Sequence, residues 1–137
     1  MKKKILIVSS SFYKKFESNL LNGALKKLDK NKFSIDHFSV PGAFEIPQLL
    51  NILLQKNKYS FCIALGCIIK GQTPHFYIIS QSISDKLLEL SFKYNLPISN
   101  GVLNCNNSKQ AKERCDPKKK NKGGEAALAA LSVYNSI

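Results

Sequence analysis

The residues best suited to chemistry lie between Leu65 and Phe76, in the run Leu-Gly-Cys-Ile-Ile-Lys-Gly-Gln-Thr-Pro-His-Phe. Gly66 and Gly71 carry no side chain to keep a ligand from the backbone. Thr73-Pro74 reads as a helix start, because threonine caps free amides and proline fits the first helical position. The amides of Gly71, Gln72 and Thr73 would then face an anion at the positive end of that helix, and a phosphate fits there. His75 falls in the first turn, where a neutral imidazole is a proton acceptor beside the anion. An ordinary threonine-capped helix with water at its tip, and a packed or solvent-facing histidine, explain the same residues as well. The rest of the chain has to decide between these readings.

Such a loop needs a strand to carry it and a helix to receive it. Tyr59 to Leu65 is an apolar run of strand character, and Ile78, Ile79, Ile83, Leu87, Leu88 and Leu90 recur at helical spacing from about Pro74 to Tyr94. The same alternation precedes it. Lys4 to Ser9 reads as a strand and leads through Ser9-Ser10-Ser11-Phe12-Tyr13 into a helix carrying Phe16, Leu20, Leu21, Ala24, Leu25 and Leu28. Phe33 to Val40 reads as the second strand, followed by Pro41-Gly42 and a helix over Glu45 to Gln55. Pro97 to Leu103 is the fourth strand. Asn106 or Asn107 caps a short helix containing Gln110, Glu113 and Arg114, Lys118 to Gly124 reads as a turn, and Glu125 to Tyr134 as an alanine-rich helix. Alternating strands and helices predict an α/β fold: a three-layer α/β/α sandwich around a four-stranded parallel sheet. Its length of 137 residues suits one domain spanning 1–137. Loops that follow parallel strands share one rim, where such sheets bind ligands. The loops at Ser9 to Tyr13, Pro41 to Glu45, Gly66 to His75 and Asn100 to Cys105 are therefore expected together.

Composition excludes several other classes. Hydrophobic residues make up 44% of the chain, which places it among globular proteins, and no apolar run approaches the roughly 18 residues of a membrane span. The basic Met1-Lys2-Lys3-Lys4 is followed only by the short Ile5 to Val8, too little for a signal-peptide core, so a cytoplasmic protein is expected. Cys62, Cys67, Cys105 and Cys115 contain no Cys-x-x-Cys pair and read as reduced, packed thiols, with Cys67 and Cys105 close enough to the candidate loops to be weighed as nucleophiles. The net charge of +12 rests almost wholly on scattered lysines, which suits solvated faces better than a nucleic-acid surface, and it would draw an anionic substrate inward. Arg114 is the only arginine. A guanidinium grips phosphate with two prongs where an ammonium cannot, so this residue is a functional suspect.

Phe12 at the end of the first strand is placed to stack on a planar heterocycle, and Glu45 to accept hydrogen bonds from ligand hydroxyls; a lid on the core and a dipole-favoured acid are the plainer alternatives. His37 reads as structural, and Lys122 as a surface lysine. Taken in order, Val40-Pro41-Gly42-Ala43-Phe44-Glu45-Ile46-Pro47, then Gly66 to Phe76, then Gln110-Ala111-Lys112-Glu113-Arg114 and Asn121-Lys122-Gly123-Gly124-Glu125-Ala126-Ala127 resemble the lumazine synthase family over nearly the whole chain.

The resemblance implies a flavodoxin-like fold and a transferase of riboflavin biosynthesis, acting at the penultimate step. It would condense 5-amino-6-(D-ribitylamino)uracil with 3,4-dihydroxy-2-butanone 4-phosphate to give 6,7-dimethyl-8-ribityllumazine, phosphate and water, with no metal or organic cofactor. It also implies the site roles. Phe12 would stack on the pyrimidine, Ala43, Phe44 and Glu45 would hold the ribityl chain, and Ile68 and Ile69 would line the ring pocket. Gly71, Gln72, Thr73 and Arg114 would bind the phosphate, and His75 would move protons. Asn100 occupies a ring-side position that is often Phe in the family, and Lys122 lies near the pocket. The implied assembly is a homopentamer, or an assembly of pentamers, with sites at subunit interfaces; the pentamer is favoured over an icosahedral shell, and riboflavin synthase is a candidate partner. There are departures: Tyr13 stands where Asn is typical, Tyr77 where an acid often follows the catalytic histidine, Lys70 where Arg is common, and Asn104-Cys105 where Thr-Thr is common. They keep open a non-catalytic riboflavin- or lumazine-binding homologue. A flavodoxin-like FMN carrier with Ser9-Ser10-Ser11 as a phosphate cradle, and a basic nucleic-acid protein, are the other competing readings.

Overall fold

The computed structural model describes residues 1–71 and 75–137. Among them the chain alternates β1 (Lys3–Ser10), α1 (Lys14–Lys26), β2 (Phe33–Val40), α2 (Glu45–Lys56), β3 (Phe61–Ile69), α3 (His75–Tyr94), β4 (Ile98–Cys105), α4 (Ser108–Cys115) and α5 (Lys122–Asn135). The four strands form an all-parallel sheet in the order β2-β1-β3-β4, the expected α/β flavodoxin-like architecture. β1 and β3 are the inner strands and are buried on both faces, which is why Ile5 to Val8 and Phe61 to Leu65 are continuous apolar runs rather than alternating ones. β2, at one edge, affords Asp36, His37 and Ser39 because its outer side meets solvent.

Period-two alternation splits the core into two layers. Ile5 and Ile7 pack with Phe61, Ile63 and Leu65 against α1 and α5, while Leu6 and Val8 pack with Cys62 and Ala64 against α2 and α3. α4 rests on the α1 and α5 side. No described helix is long and apolar enough to cross a membrane.

Three details differ from the sequence reading. β3 runs on to Ile69 and β4 to Cys105, so Gly66 and Cys67 are strand residues rather than loop residues. Gly66 serves packing, because a Cβ there would press on the Ser10 hydroxyl and the Ile46 side chain. The third difference is at the chain's last turn. Lys122, Gly123 and Gly124 form the opening of α5, with Asn121 in the left-handed region at φ 47° and its side chain accepting the Gly124 amide at 3.2 Å. The Gly-Gly pair reads as a turn, yet its smallness lets α5 close on α1, where a Cβ on Gly123 would run into the Leu20 backbone carbonyl. Gly123→Ala is therefore expected to destabilise the fold by about 1–3 kcal/mol, seen as a lower urea midpoint with an unchanged slope; an unchanged midpoint would show that the helices separate without cost.

Candidate active site

The order β2-β1-β3-β4 places the switch in strand order between β1 and β3, and the carboxyl ends of the strands carry one group of candidates. Phe12 follows β1, Ala43, Phe44 and Glu45 follow β2, Ile68 and Ile69 end β3, Gly71 comes just after it, and His75 begins α3. The Phe12 ring is 71% exposed and meets Tyr13 edge-on at 4.8 Å between centroids, leaving most of its surface free for a planar ligand. Glu45 closes its own loop: Oε1 accepts the Gly42 amide at 3.0 Å, and the Ile46 amide donates to the Ala43 carbonyl at 3.1 Å. Its other carboxylate oxygen has no partner among the described residues. The Phe44 ring lines a groove of about 550 Å³ between α2 and α3, beside Pro47 and Ile83. Ile68 packs with the α2 and α3 layer and Ile69 with Cys67 and Cys105, so their side chains leave opposite faces of the sheet and border the strand end from both sides.

Gly71 is exposed, and among the described residues nothing stands within 4 Å of where its side chain would be. Gln72 and Thr73, and the expected cap at Thr73-Pro74, lie outside the described residues. His75 is the first residue of α3 and is exposed, and among the described residues no carboxylate pairs with it.

A second group lies elsewhere. Asn100 was expected near the strand-end rim, but it sits well inside β4, opposite Ala64. Together with Arg114 and Lys122 it lines a groove of about 410 Å³ along the outer side of β4. Arg114 has no acidic partner among the described residues; its Nη1 makes only a long contact, 3.5 Å, to the Gln110 carbonyl one turn back. Lys122 is engaged with Glu125 at 3.2 Å. The Asn100 amide donates to Ser84 Oγ at 3.3 Å and accepts the Val102 amide at 3.0 Å, which satisfies an outward-facing donor of this edge strand. The groove thus presents a free guanidinium beside a polar wall.

Two of the competing readings lose their footing. The Ser9-Ser10-Ser11 run is no phosphate cradle: Ser9 and Ser10 are buried within β1, Ser9 donates to Glu17 at 2.5 Å, and Ser11 donates to the Val40 carbonyl. Cys67 and Cys105 do not lie in ligand loops. All four thiols are buried, and burial pushes both Cys62 and Cys105 up to about 12, while hydrogen bonding to Cys115 and burial also raise Cys67. Cys62, Cys67 and Cys105 therefore stay protonated and inert at neutral pH. Sequence reasoning passed over Glu17, an acid in the first turn of α1.

With this geometry in place, comparison with known proteins is decisive. The family profile of 6,7-dimethyl-8-ribityllumazine synthase matches residues 2–137. A 6,7-dimethyl-8-ribityllumazine synthase of Buchnera aphidicola subsp. Baizongia pistaciae is 43% identical over 140 residues, covering 99% of this chain and 88% of its own. The chain belongs to the lumazine synthase family. Relatives of the same name from Bartonella tribocorum and Wigglesworthia glossinidia brevipalpis are 44% and 43% identical, covering 97% and 98% of this chain and 90% of their own lengths in each case.

For a lumazine synthase, the two departures nearest His75 prove to be paired with each other. The Lys70 ammonium lies 5.3 Å from the centroid of the Tyr77 ring, a cation–π contact at the mouth of the loop. Tyr77 is 58% exposed and packs edge-on against Phe76, so it anchors a cation where other family members often carry an acid.

Proposed function

We propose that this chain is the lumazine synthase of riboflavin biosynthesis, condensing 5-amino-6-(D-ribitylamino)uracil with 3,4-dihydroxy-2-butanone 4-phosphate. The family match over residues 2–137 carries this reading. Two carbon–nitrogen bonds form, two waters leave, and inorganic phosphate departs, giving 6,7-dimethyl-8-ribityllumazine. No redox change is needed, and the work left to the protein is alignment, proton transfer and charge stabilisation.

The roles follow from chemistry and position. Phe12 stacks on the pyrimidine, and Ile68 and Ile69 border it. Ala43, Phe44 and Glu45 hold the ribityl chain, for which Glu45 has an unpartnered carboxylate oxygen. Gly71, Gln72 and Thr73 receive the phosphate with backbone amides, and Arg114 closes on it with a guanidinium that has no carboxylate competitor among the described residues. His75 takes and returns the protons of imine formation and ring closure. Asn100 borders the heterocycle with an amide, and Lys122 adds positive charge at the margin.

Residues 1–137 act as one domain within a homopentamer, each site formed by the rim of one copy and the β4 groove of the next. The exposure of His75 at the start of α3, and the Arg114 guanidinium lining the β4 groove without a carboxylate partner among the described residues, support this arrangement. The enzyme works in the cytoplasm, and its product passes to riboflavin synthase. Incubating the pure protein with both substrates should produce lumazine absorbance and fluorescence with release of one phosphate per lumazine. No lumazine above the uncatalysed rate would overturn the reading.

A further inference from the structure

Glu17 stands outside every role assigned above, yet it is the centre of a polar cluster joining three elements. Its Oε2 accepts the Ser9 hydroxyl of β1 at 2.5 Å and the Ser39 hydroxyl of β2 at 2.6 Å. The Ser9 oxygen is also 2.7 Å from His37 Nε2. A serine hydroxyl has one proton, and here it goes to the carboxylate, so His37 must donate through Nε2. The order His37, Ser9, Glu17 is therefore not that of a nucleophilic triad, in which the base would take the serine proton, and Ser9 is fully buried. The cluster holds geometry rather than performing chemistry.

What it holds is the backbone around Phe12. The Glu17 amide donates to the Tyr13 carbonyl at 2.9 Å, on one side of Phe12, and the Ser11 amide donates to the Val40 carbonyl at 2.8 Å on the other. The Phe12 ring is 71% exposed and its aromatic contact is with its own neighbour Tyr13, so its position depends on this backbone. Val40 immediately precedes the Pro41 to Glu45 loop. Fastening α1 to β1 and β2 at Ser9 and Ser39 thus fixes the stacking ring relative to the loop expected to hold the ribityl chain. We propose that Glu17 is a positioning residue for the pyrimidine substrate, acting through Phe12 by way of the hydroxyls of Ser9 and Ser39. The proposal rests on the lumazine synthase reading and on Phe12 as the stacking residue.

Steady-state kinetics on the full chain test it in a double-mutant cycle of Glu17→Gln and Phe12→Ala, with Ser39→Ala as a milder second way of weakening the cluster. Glu17→Gln should raise KM for the pyrimidine roughly five- to tenfold with kcat and the KM for the butanone phosphate nearly unchanged. In the Phe12→Ala background the same substitution should change the pyrimidine KM by less than about twofold. Ser39→Ala should show a smaller rise with the same dependence on Phe12, and it carries the test if Glu17→Gln does not fold. An equal effect with and without Phe12, equal changes for both substrates, or folded variants with the wild-type pyrimidine KM would overturn the proposal. A wild-type chain that makes no lumazine would instead remove the functional reading, and this proposal with it.

Discussion

His75→Ala is expected to lower kcat by about a hundredfold, toward the lower end of what a positioned acid–base group supplies, while the Michaelis constants of both substrates change little. The amine must lose protons as it adds to the ketone, and the hydroxyl so formed must gain one to leave as water, so a group that shuttles protons acts on the transition states more than on the bound substrates. The modest size follows from the surroundings. No carboxylate pairs with His75 among the described residues, and the nearby position often occupied by an acid holds Tyr77, whose ring is taken up with Lys70. Without a carboxylate to orient and polarise the ring, less is lost when it is removed. Single-turnover measurement of lumazine formation separates this effect from product release. A kcat within about twofold of wild type would remove His75 from the proton path, since even a weak general base contributes more.

Arg114→Lys is expected to raise KM for the butanone phosphate by about tenfold while leaving the pyrimidine KM near the wild-type value. The substitution keeps the positive charge and removes the planar fork, so it separates two-pronged recognition from simple attraction. Attraction alone would be cheap to replace in a chain of net charge +12, rich in lysine. The structure favours the fork: the guanidinium lines the β4 groove with only a 3.5 Å contact to the Gln110 carbonyl, and it is free to turn toward a phosphate. The measurement is a pair of saturation curves, each with the other substrate in excess. Unchanged curves for this variant and unchanged turnover for His75→Ala would together mean that the site has been mapped to the wrong residues.

Much of the fold was legible because hydrophobic periodicity in a parallel sheet leaves little choice. Ile5 to Val8 and Phe61 to Leu65 are buried on both faces, and no amphipathic alternative accounts for such short continuous runs between helical patterns. Asn107 could be read as a cap because its side-chain oxygen has one obvious donor, the Gln110 amide, met at 2.9 Å. Glycines were less transparent. The same absence of a side chain serves a turn, a ligand or a close helix contact, and at Gly66 and Gly123 it serves packing against partners distant in sequence, Ser10 and Leu20. Asn100 belongs to a groove on the sheet's edge instead of the rim, because strand ends can be counted along a chain whereas edges depend on strand order. Glu17 was passed over for a related reason. Its partners Ser9 and Ser39 lie eight and twenty-two residues away, and only the β1–β2 register, which sets Ser9 opposite Ser39, brings both hydroxyls to one carboxylate oxygen.

The arrangement as a whole is tested most directly by complementation between copies. His75→Ala removes the rim's proton carrier, and Arg114→Ala removes the groove's phosphate clamp, and each variant alone should make little lumazine. When the two are co-expressed and assembled at random in equal amounts, one interface in about four joins an intact His75 to an intact Arg114 across a head-to-tail contact. The mixed assembly should therefore recover about a quarter of the wild-type rate of lumazine formation. Recovery at that level would show that the two groups act together from different copies, and a mixture no more active than its separate components would contradict it.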